Sequence, residues 1–200
     1  MKGRQASGPD LQASAFRGHP PVRAVFLVGF MGAGKTSVGG ALSAYVGWPF
    51  EDLDDRIQKR EGRTVAEIFA STGEASFRKS ELAALQELLR ELESGPSLIV
   101  ALGGGAFVGQ EVASLLGQSD VVTVFLDAPA EELWQRCSAD SVDRPLRREE
   151  AEFRQLYATR RPRYLRARMR VDTASRTIDA IVREIADSLG LPVRVSGEEK

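Results

Sequence analysis

Residues 25–42, VFLVGFMGAGKTSVGGAL, restrict this chain more than any other stretch. The apolar run Val25–Val28 has the length and β-branched content of a buried strand. It breaks at Gly29, Gly32 and Gly34, meets Lys35 and Thr36, and gives way to apolar residues at helical spacing. Glycine, four residues, glycine, lysine, then serine or threonine is the spacing of a loop that holds phosphate between a strand and a helix. The glycines let successive amides of Gly32, Ala33 and Gly34 turn toward one anion, and the helix that starts at Lys35 adds its positive end. Lys35 is placed to reach the outer phosphates of a nucleotide, Thr36 to offer a hydroxyl to Mg²⁺, and Ser37 to line the same helix start. An ordinary glycine-rich turn has no need of all five matched positions.

The rest of the chain repeats the alternation that this loop begins. Apolar runs of strand length occur at 23–29, 48–53, 97–103, 120–127 and 167–173. Helical patterns are predicted at 35–46, 64–71, 74–93, 109–117, 129–138, 149–166 and 177–189, with Phe77, Leu82, Leu85, Leu88, Leu89 and Leu92 giving the strongest periodicity. Strands separated by helices imply an α/β fold: a three-layer sandwich around a five-stranded parallel sheet, with a short lid. At 200 residues the chain has room for one such domain, assigned to 23–190, between tails at 1–22 and 191–200 that lack periodicity. A formal net charge of -1 gives no global attraction to nucleic acid or to an anionic membrane. One cysteine, Cys137, excludes an internal disulfide and reads as a reduced, cytoplasmic chain. No apolar run reaches the eighteen or so residues that cross a bilayer.

In a parallel sheet of this kind ligands bind beyond the carboxyl ends of the strands. After the second run come Asp52 and Asp54, which share a side if the strand geometry persists. One carboxylate near Mg²⁺ and another near an acceptor hydroxyl suit phosphoryl transfer, and an acidic turn capping the next helix is the competing explanation. After the third run, Gly103, Gly104 and Gly105 allow a small ligand to lie against backbone. The fourth run ends at Asp127, a second candidate for the metal. Eleven arginines crowd residues 136–170, five acids interrupt them, and no run of aromatics is interleaved for base stacking. They read as a solvated face with a few members serving the site. Residues 138–150, SADSVDRPLRREE, read as a polar cover able to bring an arginine onto the phosphates.

Five motifs in order, GFMGAGKT, DLDD, GEASFRKSE, LGGGAF, and DRPL followed by RRPRY, resemble those of shikimate kinases over roughly residues 23–190. The resemblance implies ATP-dependent phosphorylation of the 3-hydroxyl of shikimate with Mg²⁺. It implies that Asp52 and Thr36 hold the metal, and that Asp54 contacts the acceptor hydroxyls and serves as base. Arg78 and Arg160 would bind the substrate carboxylate, with Arg161 a neighbour one position away, and Gly103, Gly104 and Gly105 would form the wall. Arg144 would be the lid arginine on ATP, and Arg136 and Arg176 would flank the adenine. The implied partners are shikimate and ATP, with a monomer expected. A gluconate or nucleotide kinase would share the loop and lid but not the glycine triplet with Asp54 and Arg78. A regulatory module without catalysis would be expected to have lost Lys35 or Asp54, and both are present.

Overall fold

The computed structural model describes residues 22–139 and 150–194. Strands β1 (Ala24–Val28), β2 (Phe50–Asp52), β3 (Leu98–Ala101), β4 (Val122–Asp127) and β5 (Met169–Asp172) form one sheet in the order β2-β3-β1-β4-β5. Every pairing is parallel. The central strand, AVFLV, is buried throughout, as a strand covered on both faces must be. Among the described residues seven helices flank the sheet: α1 (Lys35–Val46), α2 (Leu53–Glu61), α3 (Val65–Ser94), α4 (Gln110–Gln118), α5 (Ala130–Ala139), α6 (Glu150–Tyr164) and α7 (Ile178–Leu189). A short 3-10 helix, Ala106–Val108, precedes α4. All five expected strands are present, trimmed by one or two residues at each end of the apolar run except at Asp127, where β4 and its run end together.

Helix α2 has no counterpart among the expected helices. The expectation that strand geometry carries both Asp52 and Asp54 is therefore wrong: β2 stops at Asp52 and Asp54 lies in the first helical turn. Asp52 is the N-cap, its carboxylate accepting the Asp54 N–H at 3.0 Å. Asp54 and Asp55 sit at the positive end of this helix and Lys59 and Arg60 at the negative end. Only Leu53 and Ile57 are buried on it, so its apolar stripe is too thin to stand out from sequence.

The two helices expected at 64–71 and 74–93 are joined as α3, broken at Gly73 by φ 76 and ψ 171. Its start is fastened by a reciprocal box: Thr64 Oγ1 accepts from Glu67 N–H at 3.2 Å, and Glu67 Oε2 accepts from Thr64 N–H at 2.7 Å. The N-terminal tail and most of the expected lid, residues 140–149, lie outside the described residues. At the other end Leu191 is buried and the Arg194 N–H donates to Tyr45 O at 2.8 Å, so residues 191–194 pack on α1. No helix among the described residues is long and apolar enough to cross a membrane.

Candidate active site

The loop after β1 takes its shape from positions that only glycine fills. Gly32 has φ 77, and a Cβ there would lie 2.7 Å from Leu133 O and 2.8 Å from Cys137 Sγ. Gly34, at φ 83, is the N-cap of α1 and offers no side chain to the first amides of that helix. Those amides, on Lys35, Thr36 and Ser37, are left facing the loop, which is the geometry of an anion cradle. Lys35 folds back over it, its Nζ donating to Gly29 O and Phe30 O, each at 3.0 Å. Below the loop, Phe30 packs edge-on against Phe153 and Tyr157 with centroids at 5.0 and 5.5 Å.

Two carboxylates stand beside this cradle in different surroundings. Asp52 faces the loop, accepting from Thr36 Oγ1 at 3.1 Å. Asp54 lies against the glycine triplet: a Cβ on Gly103 would be 2.6 Å from Asp54 Oδ1. That oxygen is buried without a hydrogen-bond partner among the described residues. Burial, and then the charge of Asp52, push the Asp54 carboxyl up to about 6, while Lys35 and Arg78 pull the other way.

Asp54, Arg78, Arg160, Met31 and the triplet Gly103–Gly105 line one cavity of about 310 Å³. Arg78 reaches it from the part of α3 beyond the Gly73 break. Its Nη1 donates to Glu81 Oε1 and Oε2 at 3.0 and 2.9 Å, and its Nη2 to Glu74 at 3.2 Å. A Cβ on Gly105 would lie 2.4 Å from Arg78 Nη2, so the guanidinium rests on the bare backbone. Arg160 enters from α6, its guanidinium 6.0 Å from the centroid of Phe30. One turn later Tyr164 donates its hydroxyl to Gly104 O, which fastens the helix to the wall. Glu81, 1% exposed, is a residue of the cavity lining that sequence reasoning missed. Its position three residues after Arg78 was the available signal. Burial pushes its carboxyl up to about 6 even with Arg78 opposing.

The remaining candidates separate cleanly. Asp127 is 3% exposed, and its carboxylate is taken up by side chains of α6 and β5. It accepts from Arg161 Nη2 at 2.6 Å, Arg170 Nε at 2.9 Å and Tyr157 Oη at 2.9 Å. Arg161 and Arg170 are thus ion-paired to a buried acid and are not part of a merely solvated face. Arg136 donates to Thr173 O at 2.8 Å and Glu132 at 2.6 Å, and Arg176 to Asp172 O at 2.8 Å and Glu184 at 2.5 Å. Both arginines therefore converge on the turn after β5. Arg144, with Arg147 and Arg148, lies outside the described residues.

A parallel sheet with a phosphate loop after its middle strand, and an acceptor-sized cavity beside that loop, define a phosphate-loop kinase. The profile of the family described as shikimate kinase matches residues 31–190. The shikimate kinase of Aquifex aeolicus (strain VF5) is 37% identical over 166 residues, 82% of this chain and 95% of that one. The structure of shikimate kinase from Acinetobacter baumannii in complex with shikimate superposes with a TM-score of 0.73 at 33% identity, over 86% of this chain and 94% of that one. A gluconokinase from Sinorhizobium meliloti 1021, at 20% identity and a TM-score of 0.57 over 86% of this chain and 94% of that one, shares the fold alone. This chain belongs to the shikimate kinase family, and it is an enzyme of the kinase class.

Proposed function

We propose that the protein transfers the γ-phosphoryl group of ATP to the 3-hydroxyl of shikimate, giving shikimate 3-phosphate and ADP on the route to chorismate and the aromatic amino acids. The observation that carries this is the shared cavity beside the phosphate loop: the Asp54 carboxylate and two guanidinium groups around a glycine wall, with Glu74 and Glu81 paired to Arg78. Two arginines suit a carboxylate, and an aspartate with an unpartnered oxygen suits hydroxyls, so the acceptor is a small polyol acid.

In this reading the amides of Gly32–Ser37 hold the β- and γ-phosphates, and Lys35 exchanges its two carbonyl partners for phosphate oxygens. Thr36 and Asp52 present adjacent hard oxygens, 3.1 Å apart, which fit a largely hydrated Mg²⁺. An ion held by Thr36 and Asp52 would supply positive charge against the phosphates. Asp54 accepts the proton of the 3-hydroxyl as that oxygen bonds to the γ-phosphorus and the bond to the β-phosphate oxygen breaks. Arg78 and Arg160 hold the carboxylate against Gly103–Gly105. Arg136 and Arg176 flank the adenine, and Arg144 comes over the transferring phosphate from the lid. The working unit is a monomer with no need of nucleic acid or membrane.

Shikimate and its methyl ester distinguish this acceptor reading from others. The ester keeps every ring hydroxyl and loses the charge, so its KM should exceed that of shikimate by tenfold or more, with a similar kcat. Arg160→Ala should raise KM for shikimate by about tenfold or more and erase most of that discrimination, because its partner does not change charge during reaction. Equal KM values for acid and ester in the native enzyme would remove the carboxylate from the argument.

Glu81→Gln is expected to act on the same parameter through Arg78. It keeps the shape of the side chain and removes the charge that holds the guanidinium, so KM for shikimate should rise severalfold. The thermal midpoint should stay within a few degrees, because Arg78 keeps Glu74 as a partner and the burial cost that pushes the Glu81 carboxyl up to about 6 is relieved. Thermal melts and shikimate titrations of the variant check both halves.

A further inference from the structure

Arg160 and Arg161 are neighbours on α6 and point about 100° apart around the helix. Only one of them can face the cavity, and the rotation of α6 decides which. Besides the Tyr164 hydroxyl on Gly104 O and the buried Phe153, a contact that fixes this rotation is Asp127, at the carboxyl end of β4. Its Oδ1 accepts from Tyr157 Oη at 2.9 Å and Arg161 Nε at 3.3 Å, and its Oδ2 from Arg161 Nη2 at 2.6 Å. Tyr157 and Arg161 are four residues apart and share one face of α6, so two successive turns are held by one carboxylate. Arg170 Nε, on β5, adds a further donor at 2.9 Å, and the Asp127 carbonyl accepts the Thr173 N–H at 2.8 Å. The single Tyr157 hydroxyl proton is shared between Asp127 Oδ1 and Ala128 O, the latter at 2.8 Å. The acid is thus tied on both sides and cannot follow the helix if the helix turns.

We infer that Asp127 is a positioning residue for the acceptor: by holding Tyr157 and Arg161 it turns α6 so that Arg160, and not Arg161, projects over Phe30 into the cavity. Without that grip the Arg161 guanidinium is released beside a site built for an anion, and the two arginines compete for one place. The inference rests on the carboxylate role given above to Arg160.

The sign of the change in KM separates positioning from a plain charge effect. Removing a negative charge near an anion site would tighten the binding of shikimate, whereas loss of the grip weakens it. Asp127→Asn should raise KM for shikimate about tenfold, change kcat and KM for ATP by less than threefold, and add little to the effect of Arg160→Ala in the double variant. Tyr157→Phe, which keeps both ion pairs, should raise KM for shikimate two- to threefold in a protein that stays folded even if Asp127→Asn does not. Unchanged or lower KM for shikimate in the folded variants, or effects of Asp127→Asn and Arg160→Ala that simply multiply, would overturn the inference while leaving the acceptor reading in place. An Arg160→Ala enzyme with native KM would overturn both.

Discussion

Asp54→Asn should lower kcat by about a thousandfold while leaving KM for ATP within a few-fold of native. The substitution keeps the shape that fits against Gly103 and removes the charge that orients and deprotonates the acceptor hydroxyl, a general-base contribution of about 10²–10⁴. The same change should make the protein more stable. The Asp54 carboxyl is held at about 6 against an ordinary 3.8, chiefly by burial, so the folded chain binds this proton more tightly than the unfolded chain. Between those two values stability from this group falls as pH rises, and above about 6 the full cost of the buried charge is present. Asparagine removes that cost, at most about 3 kcal/mol and less once its own amide is desolvated. Thermal melts should therefore place Asp54→Asn above the native protein at pH 8 and show no difference below about pH 4. Native kcat/KM should decline in the opposite sense, as pH falls through about 6 and the base is protonated. A variant with native turnover, or one less stable at pH 8, would contradict the role given to this side chain.

Gly103→Ala should be the other severe variant. The backbone of Gly103 does not lie in the left-handed region, so the damage is local: the new Cβ would meet Asp54 Oδ1 at 2.6 Å and Oδ2 at 3.1 Å. The carboxylate has to retreat by several tenths of an ångström, and misplacement of a catalytic group on that scale costs up to about a hundredfold in turnover. Gly105→Ala meets a different neighbour, Arg78 Nη2 at 2.4 Å, the far end of a flexible side chain. It should therefore raise KM for shikimate and spare kcat. Steady-state kinetics of the pair check the assignment, and matching profiles for the two alanines would show that the wall acts as a whole and not through Asp54 and Arg78 separately.

The parts of this site that sequence reveals are those whose chemistry is local. The phosphate loop is legible because Gly29, Gly32, Gly34, Lys35 and Thr36 lie within eight positions, and the apolar strand before them can only enter a buried sheet. The strand ends point to Asp52, Asp54 and Gly103–Gly105 because parallel α/β sheets place their sites there. Helix α2 escaped notice, since a helix that buries only Leu53 and Ile57 carries almost no periodic signal. Its start explains how Asp52 and Asp54 part company: the first caps the helix and meets Thr36, and the second turns into the cavity. Other features depend on register between distant elements. Asp127 stands opposite Asp172 in the β4 and β5 pairing and meets Arg161 only once α6 has docked. In sequence it is an acid at a strand end, with the same claim to a metal as Asp52. The hydroxyl of Tyr164 finds Gly104 across sixty residues of chain, and no local pattern announces that contact.

Release of ADP from Mg²⁺ and ATP, followed with shikimate, gluconate and a nucleoside monophosphate offered in turn at saturating concentration, bears on the proposed reaction without any variant. Shikimate alone should raise the rate well above that of ATP with no acceptor, and the product should carry its phosphate on the 3-hydroxyl. No more ADP with shikimate than without an acceptor, or a faster reaction with gluconate or the nucleotide, would contradict the assignment.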